Sequence, residues 1–276
     1  MHTLIPIALS HQPVGFVSQD AWTRMGLIVL ATDLTSERDY ARLFPHDTAS
    51  VYTTRVAFEN PTTPENLRLM EPRLAAAAEL LLPEEPLAAI CFSCTAASVV
   101  IGDDAVTEAI QRSRPGVPVV TPAGAAVKAL RALNVSKVAI LTPYLIETSQ
   151  SMADYFSRNK FGISDFECLG LEDDREMARV DHHSIVEAAC RLDGPDNEAI
   201  FISCTGLPAL STISEIEART GKPVVTSNQA SAWVMMRLAG LSHRPTGYGR
   251  LFSHDLSEGG VMKSRTSTNN TSSSLS

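Results

Sequence analysis

The chain reads as an α/β protein built from two similar halves with parallel sheets, and three features of the sequence carry that expectation. Short apolar runs rich in Val, Ile and Leu alternate with longer Ala-rich, helix-like stretches, as strands buried beneath helices require. Three segments recur, in the same order, later in the chain. With 276 residues and 44% hydrophobic content, the chain can bury two cores without disulfide or metal staples.

Six strands stand out: Gly26–Leu30, Leu87–Phe92, Val117–Val120, Lys137–Leu141, Glu198–Ile202 and Lys222–Val225. The clearest helix start between them is Thr63-Pro64-Glu65-Asn66, where Thr63 can cap free amides and Pro64 takes the tolerated first position. That helix is expected to run through the Ala- and Leu-rich stretch to Leu82, with Pro83 and Pro86 stopping it.

The recurrences are specific. Gly26–Asp33 matches Lys137–Tyr144, Ile90–Ala96 matches Ile200–Gly206, and Gly116–Pro122 matches Gly221–Ser227. The copies lie about 110 residues apart with drifting offsets, the trace of an old internal duplication. Buried strands share Val and Ile by chance, but not a reactive side chain at the strand end. Both copies carry one, as Ser93-Cys94-Thr95 and Ser203-Cys204-Thr205. The expected division makes residues 14–122, with a returning segment 228–262, the first half and residues 123–227 the second. Residues 263–276, mostly Ser, Thr and Asn, read as a loose polar tail.

A formal net charge of −8 argues against a nucleic-acid surface, which needs a clustered excess of Lys and Arg. Five cysteines in a chain of this length suit a reducing cytoplasm better than a secreted disulfide scaffold. The first ten residues lack the basic start of an export signal, and later apolar stretches break well short of the ~20 residues that span a bilayer. Cys91-x-x-Cys94 has redox or zinc spacing, but no second pair accompanies it and the seven histidines are scattered. No glycine-rich phosphate loop precedes a helix, so neither metal nor organic cofactor is expected. His182-His183 reads as a solvated helix face, and Glu172-Asp173-Asp174-Arg175-Glu176 as acids complementing a helix start. Cys91, Cys168 and Cys190 do not recur and read as core filling.

Cys94 and Cys204 are different. In open α/β sheets ligands bind beyond the carboxyl ends of the strands, and each Ser-Cys-Thr lies there, followed by Ala96-Ala97-Ser98 in one copy and Gly206 in the other. Small side chains let main-chain amides approach a ligand. At a helix start, those amides favour a carboxylate and lower the pKa of a thiol. With the halves facing each other about a pseudo-twofold axis, Cys94 and Cys204 flank one cleft from opposite sides. A thiolate on one face can take the proton α to a carboxylate while the opposite thiol returns one; alternatively one thiolate adds to a double bond.

At these residues the sequence resembles the aspartate/glutamate racemase superfamily. Within it the similarity is to the branch of maleate cis-trans isomerase and arylmalonate decarboxylase, and in that branch to the ectoine-utilisation proteins. The resemblance runs from about Val14 to Leu241, through Leu30–Glu37, Asn60–Leu67, Leu141–Tyr144 and Gly170–Met177. It implies two pseudosymmetric, flavodoxin-like halves with the active site in the cleft between them, a homo-oligomer (dimer or tetramer), and strand-end cysteines that handle a carbanion or enolate beside a carboxylate. Carried over by residue, Cys94 is nucleophile or base and Cys204 the opposing acid. Tyr144 hydrogen-bonds the substrate carboxylate, Thr95, Ala96, Thr205 and Gly206 offer main-chain amides, and Asn228 sits in a Ser-Asn pair that the isomerases share. Asp33 stands where the isomerases carry asparagine, and Asp174 at another asparagine position. Anionic side chains there repel a second carboxylate and attract an amino group.

The resulting expectation is a cofactor-independent racemase or isomerase acting on a small, amino-acid-like carboxylate. The acetylated diaminobutyrate released when ectoine's ring opens is such a compound, which would place the chain in ectoine degradation. An arylmalonate-type decarboxylase and a non-catalytic small-carboxylate binding protein are the alternatives, because a fold does not specify a function.

Overall fold

The structure, a computed structural model, describes residues 7–19 and 21–256; the expected polar tail, residues 263–276, lies outside them. Its strands are β1 Thr23–Leu30, β2 Ala49–Val56, β3 Ala89–Ser93, β4 Val119–Val120, β5 Lys137–Thr142, β6 Gly162–Cys168, β7 Ala199–Ile202 and β8 Val224–Thr226. They form two four-stranded sheets, ordered β2-β1-β3-β4 and β6-β5-β7-β8, and every pairing is parallel. One strand order used twice agrees with the internal repeat. It is also the flavodoxin-like order, whose direction reverses between β1 and β3 and again between β5 and β7.

The six strands legible in the sequence are all present, with ends displaced by a few residues. β2 and β6 are additions, and both are sheet edges. β2 carries Ser50, Thr53, Thr54 and Arg55 and is buried only at its two ends, and β6 is mostly half-buried. A strand covered on fewer sides keeps polar residues, so it carries no continuous apolar run. The central strands β3 and β7 are buried along their whole length.

The helix expected from Thr63 to Leu82 is interrupted. Thr63 does cap it, accepting from the Asn66 amide, but the α-helix covers only Pro64–Arg68. A 3-10 turn at Glu71–Arg73 follows, then a second helix at Leu74–Glu79. Pro72 is the cause, since it has no N–H to continue the ladder and its ring crowds the preceding turn.

After β8 the chain enters the helix Ser227–Leu238, buried from Ser227 to Met236. It packs on the helices Pro122–Ala132 and Ser36–Leu43 and on β3, so residues that follow the second sheet reach the first. Among the described residues, no helix is long and apolar enough to cross a membrane.

Candidate active site

Six strand ends meet at one small cavity of about 30 Å³. Asp33 and Leu34 follow β1, Cys94, Thr95 and Ala96 follow β3, Tyr144 follows β5, and Cys204, Thr205 and Gly206 follow β7. Thr62, in the loop after β2, and Asp174, in the loop after β6, close the remaining sides with Leu30 and Met177. The cavity therefore sits at the direction reversal of both sheets at once, where such sheets bind ligands. A larger cavity of about 340 Å³ lies between the helix Ser36–Leu43 and β2, but neither the carboxyl end of a strand nor a cysteine lines it.

The two cysteines are held differently. Cys94 is extended (φ −149°, ψ 108°) and caps the helix Thr95–Ile101, whose first amides have no acceptor within the helix. Cys204 has φ +99°, a conformation that costs a non-glycine residue about 1–3 kcal/mol. Ser227 helps to hold it there: its Oγ accepts from the Cys204 N–H at 3.1 Å and from Thr95 Oγ1 at 2.8 Å. One hydroxyl thus ties both cysteine loops together. Thr205 Oγ1 adds a second tie, donating to the Ser93 carbonyl at 2.9 Å. Removing the Ser227 hydroxyl leaves a buried N–H unpaired, so Ser227→Ala is expected to cost about 1–3 kcal/mol of stability, read as an earlier midpoint in urea.

Asp33 is engaged in the fold of its own loop. One carboxylate oxygen accepts from the Thr35 and Ser36 amides at 2.9 and 2.8 Å, and the other from Ser36 Oγ at 2.7 Å. In turn Thr35 Oγ1 donates to the Gly206 carbonyl at 2.6 Å, so the loop after β1 grips the loop after β7. Asp174 accepts from Asn60 Nδ2 at 2.8 Å and from Thr32 Oγ1. Asn228 is not on the cavity wall; its amide donates to the Thr205 carbonyl at 2.9 Å and to Asp39 Oδ2 at 2.8 Å, bracing the Cys204 loop from behind.

The thiol electrostatics differ from the sequence expectation. Burial pushes both cysteines up, Cys204 to about 11 and Cys94 further. The amides expected to lower them do act in that direction, Ala97 on Cys94 and Gly206 and Leu207 on Cys204, but desolvation outweighs them. The charge of Asp33 raises both thiols and that of Asp174 raises Cys94 as well, whereas Cys204 receives a hydrogen bond from Tyr144 that favours its thiolate. Burial thus raises both thiols, Cys94 the further of the two. Burial likewise raises Asp33 and Tyr144.

The other motifs fall where their chemistry places them. Cys91 is buried in β3 with its Sγ 3.4 Å from the Tyr40 hydroxyl, away from the cavity. Asp173 caps the short helix Asp174–Met177 and Asp181 caps His182–Arg191. His182 pairs with Glu215 at 2.7 Å on the surface. Among the described residues no cluster of three or more His, Cys, Asp or Glu could hold a metal ion. Thr62, Leu34, Met177 and Ser227 are not singled out one by one in the sequence; Leu34, Thr62 and Met177 lie within segments that carry the family resemblance, and Ser227 is the last residue of the third internal match.

A protein-family description of arylmalonate decarboxylase matches residues 41–252. The chain belongs to the arylmalonate decarboxylase family. Within that family, it is 38% identical to the arylmalonate decarboxylase of Bordetella bronchiseptica over 145 residues, 51% of this chain and 60% of that one. A maleate isomerase of Nocardia farcinica is 28% identical over 243 residues, 84% of this chain and 96% of that one. Solved structures agree on the fold. The Nocardia farcinica maleate cis-trans isomerase, as a cysteine-to-serine variant with a covalently bound succinylcysteine intermediate, has a TM-score of 0.77 at 26% identity, covering 83% of this chain and 98% of that one. An arylmalonate decarboxylase variant with one glycine changed to cysteine and one cysteine to serine, in a liganded form, has a TM-score of 0.75 at 31% identity, covering 83% and 98%.

Proposed function

We propose that this protein is a cofactor-independent racemase or isomerase that uses Cys94 and Cys204 on a small, amino-acid-like carboxylate. The observation that carries this is the convergence of the two cysteines, from equivalent strand ends, on one buried cavity. The substrate carboxylate is received by main-chain amides of Thr95, Ala96, Thr205 and Gly206 and by the Tyr144 hydroxyl. This anchors the α-carbon between the thiols. Cys204, the more acidic, takes the α-proton, and Cys94, held more firmly in its neutral form, returns one from the opposite face. With an unsaturated substrate the same cavity suits addition of a thiolate to the double bond, and the succinylcysteine of the Nocardia isomerase supports that route.

The negative charges of Asp33 and Asp174 favour an amino group over a second carboxylate. Together with the resemblance to ectoine-utilisation proteins, this supports a role in ectoine degradation, in the cytoplasm and as a homo-oligomer. The five unpaired cysteines suit that compartment. Decarboxylation is the second reading, favoured by the family match. It passes through the same enolate and needs one thiol to protonate it.

Proton NMR in deuterium oxide tests the proposal with the enantiomers of N-acetyl-2,4-diaminobutyrate, maleate and phenylmalonate. The expected result is α-deuteration with inversion of the diaminobutyrate derivative. Conversion of phenylmalonate alone would replace this reading with decarboxylation, and inertness towards all three would replace it with a binding function.

A further inference from the structure

Three pairs of residues from equivalent strands wall the cavity: Asp33 with Tyr144, Cys94 with Cys204, and Thr62 with Asp174. The third pair is one structural unit despite its separation in sequence. The Thr62 N–H donates to the Glu172 carbonyl at 2.9 Å. Asn60 Nδ2, two residues before Thr62, donates to Asp174 at 2.8 Å. The Thr62 carbonyl in turn accepts from Thr148 Oγ1 at 2.8 Å. The main chain at Thr62 is therefore fixed on both sides.

Its hydroxyl is not. Thr62 is 5% exposed, and its Oγ1 is buried with no hydrogen-bond partner in the protein. Buried hydroxyls are normally paired, and leaving one unpaired is costly unless a ligand completes it. Across from it, each Asp174 carboxylate oxygen accepts one protein hydrogen bond, which leaves each with a further acceptor site.

We propose that Thr62 and Asp174 form a subsite for an N–H-bearing group of the substrate, with Thr62 as the residue that selects it. An ammonium or amide N–H donates to both the carboxylate and the hydroxyl oxygen. A second carboxylate meets the charge of Asp174 instead, and an apolar group leaves the Thr62 hydroxyl unpaired. The subsite deepens the reading of the cavity as a small-carboxylate site and rests on it.

Calorimetric titration of the full chain with butyrate, 2-aminobutyrate and 2,4-diaminobutyrate adds amino groups one at a time. The wild type is expected to bind at least one amine-bearing ligand about tenfold more tightly than butyrate. Thr62→Val loses most of that gain while keeping its affinity for butyrate, and Thr62→Ser retains the gain. Thr62→Ala provides a second removal of the hydroxyl if the valine variant does not fold. Undiminished discrimination in the valine or alanine variant overturns the proposal, as does equal binding of all three ligands by the wild type. Failure of the wild type to bind any of the three, butyrate included, overturns the carboxylate reading and the subsite with it.

Discussion

Replacing either Cys94 or Cys204 with alanine is expected to lower the rate of inversion by about a hundred- to ten-thousandfold, the scale of a lost general acid or base. Neither of the cavity-wall groups beside them, Tyr144 and Asp33, can stand in. Tyr144 is held neutral by burial, and the Asp33 carboxylate already accepts three hydrogen bonds from its own loop. Both cysteines are small and nearly buried, so the alanine variants should fold, which a thermal melt checks. The two variants also separate the roles. If Cys204 is the base towards one enantiomer, Cys94→Ala retains exchange of that enantiomer's α-proton without inversion, and Cys204→Ala loses it. Inversion at the wild-type rate in either variant would sink the two-cysteine mechanism.

The second large effect is on pH. Burial holds Cys204 at about 11 and Cys94 higher, so both are neutral thiols in the ligand-free protein at pH 7. Below its pKa the thiolate fraction of Cys204 grows tenfold per pH unit; kcat/KM for proton abstraction is therefore expected to rise about a hundredfold between pH 7 and 9. A flat profile across that range would show that a different group acts as the base. Stability moves the other way. Cys91 also sits at about 11, against an ordinary value of 9.0 for these thiols. Above pH 9 the unfolded chain releases protons that the folded chain keeps, so stability present below pH 9 is lost as pH rises towards 11. The urea midpoint should fall over that interval while the catalytic rate is still rising.

How much of this was legible depended on burial. The central strands β1, β3, β5 and β7 carry continuous apolar runs and stand out in the sequence, and with them came the two cysteines, Asp33 and Tyr144. Thr62 follows the edge strand β2, whose mixed polar pattern hides the strand, and although the helix start at Thr63 is legible, no sequence pattern shows that the Thr62 hydroxyl is buried without a partner. Asn228 and Ser227 show a different limit. They are adjacent in sequence, but successive residues on a helix point about 100° apart. The serine therefore meets the cysteine loops, and the asparagine meets Asp39 and the Thr205 carbonyl. The rise of the thiol pKa values is not legible in the sequence, because a strand-end motif displays its amides but not the depth at which the sulfur lies.

The internal repeat makes Cys94 and Cys204 counterparts, yet one is extended before a helix and the other has a positive φ before a loop. Enantiomers presented to two such thiols meet chemically unequal partners. Because enantiomers have equal free energies, the Haldane relation fixes only the ratio kcat/KM to be the same in both directions of a racemisation. Nothing then requires the separate kcat and KM values to match, and an enzyme with this asymmetry would saturate with one hand of its substrate at a lower concentration than with the other.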